Sequence, residues 1–462
     1  MFNVYLARTE PDYSTAELEK LDPIFKDSDL VMLAVYSNYS RRAEKLTDLI
    51  HKRYPGLKVV WGGPHCISVP EMSLQYADAV CFSEGDQAVV EFVRRFERGE
   101  DYFTTPSMGF KKNGTFIVNR VFPPYTKLDI LPFYDYGFED QFLLDKELVP
   151  LQKEKMRELM EQYPVYVPIL FFLTSRGCPH VCSYCNNCRY VAMFGRNTIR
   201  FYSMDRVIEE LKHTLKTLGF IEFILFGDDD FFARPLSQIE EFALRYKNEI
   251  DLPFGIAVSA RTYRKQKLEA LLDHGLKAFN MGVQSGSQRV IDEVYNRRVN
   301  LVKTKKAIEE IASYCKEKKI SIILDFIIDN PYETKKDIMK TFYYLLDLPD
   351  FVKSNLFYLS FFPGTPIYDK AIKDGIIKPF DSTQFRSYTR SGIRYQKNYE
   401  TLLVLLLRIA KIHPKLRKIP KVVFRGLASP PVRAVASLFP ESFYKRACNA
   451  LQLQKAWKKK KS

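Results

Sequence analysis

From residue 166 onward, six strand-like apolar runs recur every 30 to 40 residues, at 166–174, 220–226, 254–259, 278–283, 321–328 and 355–362. Amphipathic helical stretches such as 205–218 and 303–318 separate them. Strands that alternate with helices in this way build an α/β fold around a parallel sheet. Six such units predict an open six-unit β/α barrel, shorter than the closed eight-unit form, with its functional face at the carboxyl ends of the strands.

The first hundred residues repeat the alternation: strand-like runs at 2–7, 30–36, 57–61 and 79–82, and helical ones at 16–25 and 41–54. A second, doubly wound parallel sheet is expected there. Gly62-Gly63-Pro64 and Ser83-Glu84-Gly85 each follow a strand, where a ligand crevice would open. Residues 104–168 are dense in proline and aromatics and read as a connector packed on the body. A chain of 462 residues is too long for one core, and 46% hydrophobic with 27% charged residues is a globular composition. The expected parts are 1–125, an α/β domain; 126–165, a connector; 166–373, the barrel; and 374–462, a helical basic segment. No leader-like stretch is recognised, and the longest aliphatic run, 402–407, is far too short to span a bilayer, so the expected location is the cytoplasm.

Four of the eight cysteines lie between 178 and 188. Cys178, Cys182 and Cys185 follow the spacing C-x3-C-x2-C, just beyond the first barrel strand, on a loop opened by Gly177 and Pro179. Three thiolates on such a loop can hold three irons of a [4Fe-4S] cluster and leave the fourth iron open. Cys188 adds a C-x2-C-x2-C reading, the opening of a ferredoxin-type run, but residues 195–200 offer no cysteine to complete it. A zinc site from four of these thiols stays open beside iron-sulfur, because zinc tolerates C-x2-C spacing. A disulfide framework does not fit a large chain without a leader.

Together with segments further along, this stretch resembles the radical S-adenosylmethionine (SAM) superfamily, and within it the branch with an N-terminal cobalamin (B12)-binding-type domain. The resemblance runs from about Val4 to Lys373. Thr174-Ser175-Arg176-Gly177-Cys178-Pro179 leads into the cysteine loop, with Tyr184 directly before its last ligand. Phe226-Gly227-Asp228-Asp229-Asp230-Phe231 resembles the segment after the second strand, Met281-Gly282-Val283-Gln284-Ser285-Gly286-Ser287 that after the fourth, Asp325-Phe326-Ile327-Ile328 that of the fifth and Phe361-Phe362-Pro363-Gly364-Thr365-Pro366 that of the sixth.

The resemblance implies a Rossmann-like (flavodoxin-like) cobalamin-type domain, short of its first strand, followed by a partial (β/α)6 radical SAM barrel. It implies a [4Fe-4S] cluster on Cys178, Cys182 and Cys185, SAM at the open iron, and cobalamin as a candidate third cofactor. Tyr184 would pack near adenine, and Asp228 and Asp229 would hold the SAM ammonium, with helix capping as the other use of such carboxylates. Arg261 would pair with the SAM carboxylate or remain a surface arginine. Gln284, where the family usually has Glu, and Ser285 would meet ribose or carboxylate, and the backbone around Ile327 would frame adenine. Ser37, Gly62 and Gly63 stand where small residues let the cobalamin tail lie on the sheet. The Asp-x-His-x-x-Gly motif that supplies a cobalt ligand is absent; His65 is a candidate in its place or a structural histidine.

The implied activity is reductive cleavage of SAM to methionine and a 5′-deoxyadenosyl radical, followed by attack on an unactivated carbon. With cobalamin the outcome is C-methylation by a transferase. Without it the outcome is cyclisation, rearrangement or oxidation. An external one-electron reductant such as flavodoxin or ferredoxin is required. The rival reading is a non-catalytic iron-sulfur or zinc protein whose metal only holds the fold.

Residues 401–462 contain fifteen Lys and Arg against the single acid Glu441, a formal +14 of the chain's +15. Prolines 414, 420, 430, 431 and 440 divide this segment into short helices. It can lie on anionic lipid, form a solvated cap or bind phosphate backbones. The membrane surface ranks first and nucleic acid last, because no stacking-rich RNA module accompanies it. A lipid-like or isoprenoid substrate would suit that location.

Overall fold

A computed structural model describes residues 3–6, 12–112, 114–161, 167–195, 198–379, 393–413 and 415–458. Tyr166, where the second strand series was expected to begin, and Lys459, Lys460 and Lys461 lie outside them. The chain forms two compact units, one of residues 1–169, 185–222 and 361–387, the other of 170–184, 223–360 and 388–462.

In the first unit, a five-stranded sheet has the spatial order Leu30–Ala34, Lys58–Gly62, Ala79–Cys81, Met108–Lys112, Thr115–Val118. The first three strands pair in parallel and the last two turn back antiparallel. Trp61, Val80, Ile50 and Leu74 are fully buried in its core, and the Trp61 indole N–H donates to Thr47 Oγ1 at 2.9 Å, so the indole is buried with its polar group satisfied. The run expected at 2–7 is a strand, Asn3–Leu6, but it joins a different sheet. It pairs in parallel with Gln141–Leu144, which is paired antiparallel with Leu148–Pro150. Local periodicity specifies a strand but not its partner, which long-range packing decides.

The proline-rich stretch is fastened to helix Met204–Leu218 of the same unit. Arg206 and Glu210, both buried, form an ion pair at 3.0 Å. Arg206 also donates to the Pro132 carbonyl at 2.8 Å and lies over the Phe133 ring, while Glu210 accepts the Tyr134 amide N–H at 2.8 Å. The helix is bounded by Ser203, whose hydroxyl accepts the Arg206 N–H, and by Gly219 in a left-handed conformation.

The second unit is built on a six-stranded sheet whose spatial order is the chain order: Ile169–Phe172, Phe223–Phe226, Phe254–Val258, Leu276–Gln284, Ser321–Ile328, Lys353–Tyr358. Pairings from the second strand to the sixth are parallel. On the fourth strand Phe279, Met281 and Val283 are buried, whereas Asn280, Gly282 and Gln284 on the opposite face are only half-buried. One face is core, and the other carries polar groups. C-terminal helices Tyr399–Ile412, Lys421–Leu427, Pro430–Ala436 and Glu441–Lys458 complete this unit. Among the described residues, no helix is long and apolar enough to cross a membrane.

The loop after the fourth strand is held against helix Lys335–Asp347. A Cβ on Gly286 would come within 2.6 Å of Thr341 Cα and 2.7 Å of the Lys340 carbonyl oxygen. Gly286→Ala is expected to cost about 1–3 kcal/mol of stability, read as a lower Tm. Gly426, with nothing within 4 Å of its would-be Cβ in helix Lys421–Leu427, is the contrast: Gly426→Ala is expected to add about 0.5–1 kcal/mol.

Candidate active site

In the second unit, the carboxyl ends of adjacent strands are tied together by buried carboxylates. Asp228, after the second strand, accepts hydrogen bonds from the Thr174 amide N–H (3.1 Å), the Thr174 hydroxyl (3.0 Å) and the Ser175 hydroxyl, all at the end of the first strand. Burial raises its pKa, and the nearby Arg234 opposes that rise along with these bonds. Asp230 accepts from the Ser259 amide (3.2 Å) and the Thr262 hydroxyl (2.8 Å) after the third strand, and burial pushes its pKa up to about 6. Asp229, between them, is exposed.

The cysteine loop is clamped from two sides. On one, His180 shares a 2.7 Å hydrogen bond with Ser259 Oγ, and Arg261, exposed, donates to the Pro179 carbonyl at 3.3 Å. On the other, the Ser183 amide donates to the Tyr295 carbonyl at 2.9 Å, Asn296 donates to the Val181 carbonyl at 3.3 Å, and the Tyr184 and Tyr295 rings meet edge to face at 5.0 Å.

Arg297 joins these parts. Its Nη1 donates to Cys182 Sγ at 3.5 Å and to the Tyr184 hydroxyl at 3.1 Å, and Nη2 donates to the Gly282 carbonyl at 3.0 Å. Burial works against this cation, but Tyr184 and the Cys182 sulfur beside it hold its pKa above the usual guanidinium value. The flanking Asn296 and Arg298 have φ of 48° and 55°, a strained turn that points Arg297 inward and leaves Arg298 exposed. His180 is driven down to about 4 by burial and by the charges of Arg297 and Arg261, so it is neutral at pH 7. Sequence reading missed Arg297. Nothing in Asn296-Arg297-Arg298 distinguishes it from its neighbour, and only the fold buries one of the two.

Gln284 ends the fourth strand at a register shift, with φ of 73°, and its side-chain nitrogen lies 2.5 Å from where a Gly282 Cβ would stand. It therefore shares Gly282 with Arg297. Ser285 is fully buried, its hydroxyl 3.2 Å from Glu333 and 3.3 Å from Thr341, so it faces inward. Ile327 is buried on the fifth strand opposite Phe357 of the sixth.

Past Tyr184 the chain enters the first unit, where Cys185 and Cys188 lie. The Cys188 amide donates to the Cys185 carbonyl at 3.2 Å as helix Asn187–Phe194 begins. Within this unit Asn186 donates to the Pro64 carbonyl at 3.1 Å and is bonded by the Ser68 hydroxyl. Gly62 and Gly63 precede this contact directly. Gly63, with φ of 92°, would bring a Cβ within 3.0 Å of the Val35 backbone, while a Cβ on Gly62 would meet only Cys81 at 3.8 Å. Ser37 Oγ lies 3.0 Å from His65 Nδ1, both are buried, and burial lowers His65 to about 4.

Among the described residues, no three His, Cys, Asp or Glu side chains are arranged to hold a single metal ion. A four-iron cube makes a different demand, because each thiolate binds a different iron. Three thiols on one loop supply that donor type. Arg297 Nε is buried beside the loop without a hydrogen-bond partner, as expected where a ligand completes a polar site. The residues present fit the cluster.

Residues 172–345 match the model of the radical SAM superfamily. An uncharacterized methyltransferase of Pyrococcus horikoshii is 25% identical over 423 residues, covering 89% of this chain and 82% of the relative. The cobalamin-dependent radical SAM methyltransferase TokK of Streptomyces tokunonensis is 21% identical over 78% of this chain, which spans half of TokK's length. The solved structure of the radical SAM methyltransferase TsrM from Kitasatospora setae, with tryptophan and a SAM analogue bound, is similar in fold, with a TM-score of 0.62 and 15% identity over 77% of this chain and 68% of that one. Residues 172–345, from the end of the first strand of the sheet into helix Lys335–Asp347, form a radical SAM domain, and the chain is an enzyme that carries it.

Proposed function

We propose that this enzyme is a cobalamin-dependent radical SAM methyltransferase acting on an unactivated carbon. The observation that carries the reading is Asn186. The residue next to Cys185 is bonded to Pro64 and Ser68, so the cysteine loop leaves along the strand edge that bears Gly62 and Gly63. Cys185, the last of the three cluster thiols, and the strand end that bears Gly62 and Gly63 therefore belong to one unit. TokK, a cobalamin-dependent radical SAM methyltransferase, supports the same reading, and the Pyrococcus horikoshii relative supports methyl transfer. In this reading residues 1–125 are a cobalamin-type module, 126–165 a connector, 166–373 an open six-unit barrel and 374–462 the basic segment.

When bound, a reduced [4Fe-4S] cluster supplies the electron that splits SAM, and cobalamin supplies a methyl group for transfer to carbon. Cys178, Cys182 and Cys185 would hold three irons, and Cys188 would stay out of the set so that one iron is free for SAM. Arg297 keeps a compensating charge on the Cys182 sulfur and steadies Tyr184, the partner for adenine. Asp229 and Arg261 present exposed charges for the SAM ammonium and carboxylate, and Gln284 presents an amide. Asp228 and Ser285, their hydroxyl and carboxylate groups already engaged within the chain, hold the strand ends that carry the others. The backbone at Ile327 would border adenine. Ser37, Gly62 and Gly63 would line the cobalamin tail. His65, buried and with its Nδ1 against Ser37 Oγ, is read here as a structural histidine and not a cobalt ligand. An external reductant delivers the electron, and a lipid-like substrate suits the basic segment's place at a membrane surface.

Purification with hydroxocobalamin is expected to leave corrin absorbance after desalting, and isotopically labelled SAM methyl should reach product. A protein that cleaves SAM yet retains no corrin would overturn the cobalamin assignment. His65→Asn should keep the same corrin-to-protein ratio; a large loss would make His65 a ligand. After anaerobic reconstitution, Cys178→Ala, Cys182→Ala and Cys185→Ala should each lose most iron and all SAM cleavage, whereas Cys188→Ala keeps both. Arg297→Gln is expected to retain iron, shift the cluster's midpoint potential to more negative values because a cation beside the reduced cluster is gone, and slow SAM cleavage by about 10–100-fold. Arg297→Lys should recover part of the potential shift.

A further inference from the structure

We propose that residues 415–443 form a membrane-insertion face, whose apolar side chains enter the acyl region of an anionic bilayer. This rests on the membrane reading above and changes its physical basis from charge adsorption to insertion. Large apolar side chains exposed singly are ordinary, but a concentrated patch is not. Ten of the twenty-seven such side chains among the described residues fall between 412 and 443. Leu438 is 82% exposed and Val422 69%, with Val423, Val435, Phe439 and Phe443 also exposed.

The segment is docked on one side and open on the other. Phe424, Ala428, Ala436 and Tyr444 are buried, the Tyr444 hydroxyl donates to the Ala436 carbonyl, and Arg433 pairs with buried Glu400 of helix Tyr399–Ile412 at 2.8 Å. An apolar side held outward by these anchors cannot turn in to cover itself. Pro420 and Pro430 start helices Lys421–Leu427 and Pro430–Ala436, of seven residues each, too short to span a bilayer and suited to lying in the interface plane.

Charge selects the occupant. Lys415, Arg417 and Lys418 before the exposed apolar residues 422–443, and Lys445 and Arg446 after them, are exposed, and Glu441 is the only acid from 401 to 462. Anionic headgroups complement these flanking cations. A second copy of this chain would bring the same positive segment against it and be repelled. Nucleic acid would meet the cations but leave Val422, Val435 and Leu438 in water, with no stacking surface in return.

The full chain should co-sediment with phosphatidylglycerol–phosphatidylcholine vesicles at low salt, and a fraction should remain bound at 1 M salt, where charges are screened within about 3 Å. Leu438→Asp combined with Phe439→Asp should lower the salt-resistant partition by at least about tenfold, since two large apolar groups no longer leave water. In a separate variant, Phe439→Trp fluorescence should shift to the blue and be quenched by lipids brominated in their acyl chains. Binding that salt abolishes completely, with no quenching, would overturn insertion and leave the membrane reading intact. Absence of vesicle binding at low salt, or binding only to RNA, would overturn both. A dimer in vesicle-free solution that Leu438→Asp with Phe439→Asp disperses would make a second copy the occupant and end the proposal.

Discussion

A guanidinium taken out of water must find its compensation nearby, and in this chain Arg297 finds it at the Cys182 sulfur, the Tyr184 hydroxyl and the Gly282 carbonyl. Those three contacts join the cysteine loop to the end of the fourth strand, which are 100 residues apart. The same charge depresses His180 and opposes the rise of Asp230 and Asp325. A loop that carries three cysteine sulfurs next to a fixed cation is prepared to hold an electron-rich inorganic group. With the cation removed, that negative charge would have to be stabilised by solvent that the buried site excludes.

Around this centre the strand ends are joined by carboxylates rather than left as independent loops. Asp228 holds the first strand to the second, Asp230 holds the second to the third, and Asp337 accepts from Ser287 at 2.6 Å and pairs with Arg289. Each carboxylate has its acceptor sites filled by neighbouring hydroxyl and amide groups, which makes burial tolerable. The result is a rigid rim on which the exposed Asp229, Arg261 and half-buried Gln284 are displayed. Rigidity of this kind matters for a site that must position reacting groups closely.

Much of this was legible before folding was considered. The alternation of runs located all six strands of the second unit to within a few residues, and C-x3-C-x2-C singled out the loop that Arg297 and Ser259 hold in place. Legibility stopped where a residue's role depends on burial. Asp228 and Asp229 are adjacent and chemically identical, yet one is enclosed by Thr174 and Ser175 and the other faces solvent. Arg297 and Arg298 divide in the same way. The Asn3–Leu6 strand was readable as a strand, but its pairing with Gln141–Leu144 across more than 130 residues was not.

The sequence by itself determined element type and the chemical inventory, because helix and strand periods, proline and glycine positions, cysteine spacing and net charge are local properties of the chain. The tertiary structure alone decided which strands pair, which carboxylates and arginines are desolvated, and which apolar side chains remain in water near residues 412–443. Those outcomes depend on contacts between residues far apart in the chain. Their energies come from the low dielectric and close packing that exist only once the chain has folded.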